Sequence, residues 1–252
     1  MRNKSKLINL PELKSEIVLA ELTKPDTLKY ICEGIDVVIS TVGITRQKDG
    51  LTYLDVDYRA NRNLLNEAVK HGVQKFVYVS VLNGEKLKNL KICEAKERFV
   101  DELKNSKVNY CIIRPNGFFS DMTEFYNMAK KGRVYLFGDG EHKANPIHGE
   151  DLAKIIMKNV ETEAKEIIIG GPETLTQNQI AEIAFNVLGK EVKTAYLPDW
   201  IRKNILSFAR TFMSSKTYGP LEFFLTIMAM DMVAPEYGNH TLKAYFENLL
   251  IK

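Results

Sequence analysis

The stretch "DVDYRANRNLLNEAVKHGVQKFVYVSV" (residues 55–81) carries two periodicities, and together they decide the fold. Its first part predicts a helix over 57–72, because Leu64, Leu65, Ala68 and Val69 recur at helical spacing and Gly72 is a natural stop. Its last part, 75–81, is short, β-rich and almost continuously apolar. Continuous rather than alternating apolarity predicts a strand buried on both faces, as in a parallel sheet. The same texture recurs in "DVVISTV" (36–42), "VNYCIIR" (108–114) and "EIIIGG" (166–171), and "KICEAKERFVDELKNS" (91–106) reads as a second amphipathic helix. Alternating strands and helices predict an α/β fold with a doubly wound parallel sheet.

Beyond residue 115 the pattern loosens. A helix is expected from about Glu150. Thr176 and Gln179 match a capping box for a further helix that Gly189 would end. The remainder reads as mostly helical, punctuated by Pro198, Pro220 and Pro235. The expected organisation is a nucleotide-binding type of domain over 1–170 and a smaller, mainly helical lobe over 171–252, interleaved with the first.

Composition bounds the function. Of the 252 residues 45% are hydrophobic and 27% charged, as in ordinary globular proteins. A net charge of +3 without a dense basic block argues against a nucleic-acid partner. Cys32, Cys93 and Cys111 are scattered, which predicts neither disulfides nor a zinc site and fits a reducing cytoplasm. The polar start predicts no signal peptide. The apolar stretch 221–234 contains Glu222 and Asp231 and is too short to span a bilayer, so it is expected to be a core or partner-facing helix. No metal site is expected: His142 and His148 lack a carboxylate ligand pattern and are assigned polar loop roles.

A dinucleotide fold opens with a glycine-rich turn that lets backbone N–H groups approach a pyrophosphate. Neither G-x-G-x-x-G nor G-x-x-G-x-x-G occurs; Gly138-Asp139-Gly140 and Gly170-Gly171-Pro172 read as turns. Even so, "DVVISTVG", the 55–81 stretch, "IIRPNGFFSDM", "GRVYLFGDGEHKANPIHGEDLAK" and "IGGPETLTQNQIAEIAFNVLGK" together resemble the atypical short-chain dehydrogenase/reductases. The branch they resemble is the NmrA-like, NAD(P)H-binding one, with divinyl-chlorophyllide reductase-like proteins nearby.

The resemblance implies a Rossmann-like fold and NAD(P)-dependent hydride transfer to or from an unidentified small substrate. The alternative is a non-catalytic NAD(P)-binding or regulatory module, or an inactive fragment. It also implies that the chain begins about thirty residues late for the fold. Ile17–Ala20 would then be a strand without its partner, the strand at 36–42 would lose an edge, and self-association through that edge or through 221–234 is expected.

Residue roles follow from the same resemblance. Lys96 falls at the active-site lysine, where it would hold the cofactor ribose. On helix pattern alone Lys96 lies inside the apolar stripe of Ile92, Ala95, Phe99, Val100 and Leu103, so it either snorkels to water or enters a cleft. Ile92 stands where the classical Tyr-x-x-x-Lys motif has its tyrosine. Ser80 resembles the active-site serine; its other reading is a strand-end hydroxyl serving the local backbone. Ser40, Thr41, Val42 and Gly43 match the loop along the cofactor, and Pro115, Asn116 and Phe118 the loop beside the nicotinamide. Glu21 and Leu22 occupy the place where the family often has Asp-Leu beside the adenine, and the glutamate is a departure from it. Arg2 matches an arginine that contacts a 2′-phosphate, favouring NADP. Without the phosphate loop, binding of NAD(P) is expected to be impaired.

Overall fold

The computed structural model describes residues 15–47 and 50–251. Arg2, the expected contact for a 2′-phosphate, lies outside them. Four strands form the central sheet: β1 (Val37–Ser40), β2 (Lys75–Val79), β3 (Asn109–Pro115) and β6 (Glu166–Ile169), in the order β1-β2-β3-β6. All three pairings are parallel, with Val38 opposite Phe76, Val77 opposite Cys111 and Ile113 opposite Ile167. The reading of 36–42, 75–81 and 108–114 as adjacent parallel strands holds.

The continuous apolarity has the expected cause. Every residue of β2 is buried. Phe76 and Tyr78 pack on one face with α1 (Asn61–Lys70) and α2 (Lys91–Lys104), through Leu64, Leu65, Phe99 and Leu103. The Tyr78 and Phe99 rings meet edge to face, with centroids 4.6 Å apart. Val77 and Val79 pack on the opposite face with Leu152, Ile155 and Ile156 of α4 (Gly149–Asn159). Helices on both faces make the sheet doubly wound.

A second core forms around α3 (Phe119–Lys130), α5 (Gln177–Val187) and α8 (Leu242–Leu250). Two small pairings edge it: β4 (Val134–Phe137) runs parallel to β8 (Thr194–Leu197), and β5 (Lys143–Ala144) antiparallel to β7 (Leu175–Thr176). The capping box is present, with Thr176 accepting from the Gln179 backbone and Gln179 reaching back to Thr176.

Four local expectations are corrected. Ile17–Ala20 is irregular and pairs with no strand; β1 has only β2 beside it among the described residues. The helix expected over 57–72 begins earlier as a π-helix, Leu54–Ala60, which runs into α1. The 221–234 stretch is helical only as the end of α7 (Ser215–Ile227), after which the chain turns and buries Met232 and Ala234. Gly170-Gly171 is no turn. Gly170 forms a bridge with Glu236, and a Cβ on Gly171 would lie 1.9 Å from the Pro146 carbonyl oxygen, so the chain passes there flush against its neighbour.

Candidate functional site

Strands β1, β2 and β3 end on one edge of the sheet, and a cavity of about 350 Å³ opens there. Open α/β sheets bind ligands at the carboxyl ends of their strands. Thr41 and Gly43 enter the wall just after β1, Ser80 and Val81 after β2, and Pro115, Asn116 and Phe118 at the end of β3. Ile92 and Lys96 come from α2, Phe223 and Ile227 from α7. Four methionines, Met122, Met228, Met230 and Met232, complete a wall that is mostly apolar and polarisable.

Lys96 resolves its two readings by geometry. Its ammonium lies 2.9 Å from Asp57 Oδ1 and does not snorkel outward; only 13% of its side chain is exposed. Asp57 has no exposed surface and sits inside the π-helix, whose wider turn often marks functional positions. Its second oxygen accepts the Ile44 backbone N–H at 3.3 Å. Burial pushes the Asp57 carboxyl up from its usual range, against the pull of Lys96. Burial opposes the charge on Lys96 as well, but Tyr78 and Asp57 outweigh it and hold the ammonium above the ordinary lysine value.

Gly43 is a steric requirement of that pair. A Cβ on it would lie 2.7 Å from both Asp57 Oδ1 and Lys96 Nζ, closer than any real contact. Only a residue without a side chain lets the loop pass over the ion pair.

Ser80 lines the cavity, yet its single hydroxyl proton goes to Glu97 Oε1 at 3.1 Å. Glu97 is buried and holds Arg114 in a two-pronged ion pair at 2.6 and 2.9 Å. Asn116 is similarly committed. Its amide donates to Asn145 Oδ1 at 2.8 Å and to the Met232 carbonyl, and its oxygen accepts the Gly117 N–H at 2.7 Å. These bonds tie the loop after β3 to the chain after α7.

The remaining predicted positions separate from the cavity. Ser40 is buried, with its hydroxyl 2.5 Å from Asn61 Oδ1. The Val42 carbonyl accepts from Asn61 Nδ2 at 3.1 Å. Leu22 packs on the main core, and its carbonyl accepts from Asn63 at 2.9 Å. Glu21 pairs with Lys24. None of these four lines the cavity.

Asp57 carried no signal as a site residue in the sequence. His142 also lines the cavity, with Nδ1 3.2 Å from Asp231 Oδ1, although the sequence reading gave it only a loop role. His148 caps α4 and stacks on His240 at 4.1 Å, and those two with Glu150 cluster closely enough to hold a metal ion. In that cluster His148 Nδ1 accepts the Glu150 backbone N–H at 3.3 Å, and His240 Nδ1 lies 2.9 Å from Asp151. Beside the cluster, Asp151 accepts the backbone N–H groups of Asn239 and His240 at 3.1 Å each and fastens that segment to α4.

A doubly wound sheet with a cavity at its carboxyl edge defines an α/β protein that binds its ligand at that edge. The NAD(P)H-binding family profile matches residues 1–163, and the chain belongs to that family, among the atypical, NmrA-like short-chain dehydrogenase/reductases. It is similar to the divinyl chlorophyllide a 8-vinyl-reductase of Arabidopsis thaliana, 29% identical over 94% of this chain and 64% of the relative. It is also similar to the photosystem II assembly factor Ycf39 of Synechocystis, 25% identical over 84% of this chain and 66% of the relative. The chain thus spans about two thirds of the length of these curated relatives. In fold it resembles the Escherichia coli NADPH-dependent quinone oxidoreductase QOR2, with TM-score 0.70 and 15% identity over 99% of this chain and 88% of that one. The match makes residues 1–163 an NAD(P)H-binding domain. No helix among the described residues is long and apolar enough to cross a membrane.

Proposed function

We propose that the chain is an NAD(P)-dependent reductase for a flat, largely apolar substrate, and that the 350 Å³ cavity takes the nicotinamide end and the substrate together. The observation that carries this reading is the Lys96–Asp57 pair: a lysine fixed 2.9 Å from a fully buried carboxylate and lining a mostly apolar cavity. A bound nicotinamide would supply the hydride. Lys96 would donate to the ribose hydroxyls and Asp57 would hold its ammonium in place. Ser80 and Asn116 would shape the wall, because their polar atoms already have protein partners. Thr41, Gly43, Pro115 and Phe118 would flank the cofactor, with Ser40, Val42 and Leu22 supporting it from behind.

The substrate class rests on the methionine and phenylalanine lining, which suits a polarisable face better than a sugar. The names of two relatives, a chlorophyllide vinyl-reductase and a quinone oxidoreductase, agree with such a substrate. One observation favours the non-catalytic alternative: Ile92, on the cavity wall four residues before Lys96, offers no phenolic proton. We further propose weak dinucleotide binding by these 252 residues, because they contain no glycine-rich phosphate turn, and a preference for NADP, because Arg2 matches an arginine that contacts a 2′-phosphate.

Calorimetric titration with NADPH and NADH, paired with an assay of NADPH oxidation against a panel of quinones and porphyrin-type acceptors, tests all three. The expected result is millimolar binding of NADPH, weaker binding of NADH, and turnover abolished in Lys96→Met. Micromolar binding would remove the weak-binding proposal. Binding without turnover on every acceptor would favour the regulatory module.

A further inference from the structure

A reductase has to deliver a proton as well as a hydride. The polar groups so far placed on the cavity wall have none to spare. Ile92 stands where a phenol would, Ser80 gives its proton to Glu97, and Lys96 keeps its ammonium against Asp57. Among the described residues, the titratable side chains on the wall are Lys96, Asp121, His142 and Lys143. Asp121 is taken up at the start of α3, where its Oδ2 accepts the Phe118 N–H at 3.0 Å. Of the remaining side-chain types, only imidazole exchanges a proton readily near neutral pH.

His142 is fixed from two sides. It stands just before β5, and its carbonyl accepts the N–H of Gln177, the first residue of α5, at 3.2 Å. Asp231, beyond the end of α7, brings Oδ1 to 3.2 Å from His142 Nδ1. The same oxygen accepts the Lys143 N–H at 3.0 Å, and the Met232 N–H donates to the Lys143 carbonyl at 2.8 Å. These backbone bonds lock the carboxylate beside the ring. The Lys143 N–H, with His142, holds the Asp231 carboxyl below its usual range, so it is ionised and can only accept. Nδ1 therefore carries a proton, and Nε2 is the nitrogen that exchanges. Nε2 has no partner among the described residues. The side chain is 43% exposed, so a spent imidazole can regain its proton from water.

On the reductase reading given above, we propose that His142 is the general acid of this site and Asp231 its positioning residue. The acceptor gains a hydride, with its electron pair, from the reduced nicotinamide, which is thereby oxidised, and negative charge forms on an acceptor oxygen. The Nε2–H bond of His142 breaks and its proton bonds to that oxygen. The neutral ring then takes another proton from water. The substrate class follows from this chemistry: a flat acceptor whose reduction leaves charge on oxygen, such as a quinone or a conjugated carbonyl compound.

Two naphthoquinones of the same ring size provide the test. Menadione is neutral; 2-hydroxy-1,4-naphthoquinone is an oxyanion at pH 6 and imitates the charged oxygen. In calorimetry at pH 6 the wild type should bind the oxyanion about tenfold more tightly than His142→Gln does, and menadione should differ by less than about twofold. With NADPH and menadione, His142→Gln should lower kcat about a hundredfold and leave NADPH affinity unchanged. Imidazole in solution should restore part of the turnover of His142→Ala. Asp231→Asn should lose about tenfold, and Asp231→Glu should recover most of it. With 43% and 64% of their side chains exposed, both positions should accept these changes without unfolding.

Equal oxyanion binding by the wild type and His142→Gln would overturn the proposal whether or not NADPH is oxidised, and so would unchanged turnover in His142→Gln. An oxyanion preference lost in Lys143→Gln and kept in His142→Gln would also overturn it, by assigning the charge to the lysine. The reductase reading fails differently. If the wild type discriminates the oxyanion through His142 but oxidises no NADPH, the proton transfer falls with that reading and His142 is an anion-binding residue only. If the wild type binds neither naphthoquinone, the flat-acceptor reading and the assignment fall together.

Discussion

The Lys96 ammonium lies 2.9 Å from Oδ1 of Asp57, a carboxylate with no exposed surface. Each charge is tolerable inside the protein only because of the other. Asp57→Asn should therefore leave an uncompensated buried cation and cost about 3–5 kcal/mol, read as a lower urea midpoint. Lys96→Met combined with Asp57→Asn should recover much of that loss. A double variant as unstable as the sum of the two single ones would show that the pair is not coupled.

Gly43→Ala should act on the same pair from the outside. Its methyl would occupy the space 2.7 Å from both charged atoms, so either the loop or the pair must move. The expected outcome is a loss of about 1–3 kcal/mol, as for other overpacked sites, together with weaker NADPH binding. A variant of unchanged stability and affinity would contradict the close passage.

Ser80 and Arg114 separate wall from support. Ser80→Ala removes one donor to Glu97 and leaves the two-pronged Arg114 pair intact, so about 1 kcal/mol should be lost and turnover should fall little. Arg114→Met leaves Glu97 buried without its cation and should cost about 3–5 kcal/mol. Turnover falling a hundredfold or more in a folded Ser80→Ala protein would instead restore the serine to the chemistry (about 2.7 kcal/mol).

The stacked His148 and His240 predict a pH dependence. Burial, with the neighbouring His240, lowers His148 from its ordinary value, against Glu150 and Asp151; Lys154 adds to the lowering. A group with a depressed folded pKa binds more protons when unfolded. Stability should therefore be complete above about pH 6.5 and fall as pH drops below it. Melting temperature measured from pH 8 to pH 5 should hold down to about pH 6.5 and decline below it, and His148→Gln should flatten the decline. A slope unaltered by His148→Gln would place its origin elsewhere.

Elements whose signal lies within a few neighbouring residues were legible before any coordinates. Helical spacing in 91–106, unbroken apolarity in 75–81 and the Thr176–Gln179 box each encode a contact that the segment makes whatever its partner. The π-helix at Leu54–Ala60 was not legible, because its extra residue per turn is fixed by Asp57 meeting Lys96 and Asn61 meeting the Val42 carbonyl. The 221–234 stretch looked like one helix because apolarity alone does not say where a chain turns to bury Met232.

By itself the sequence determined the parallel sheet, the two helices that cover one of its faces, and Lys96 on an apolar stripe, since those depend on period and local propensity. Tertiary structure alone decided that Lys96 turns inward onto Asp57, that Ser80 gives its proton to Glu97, and that α6 (Asp199–Phe212) keeps Phe208 and Phe212 exposed. A side chain's partner, or its lack of one, is set by which distant segments the fold brings within a few ångströms, and no local pattern records that distance.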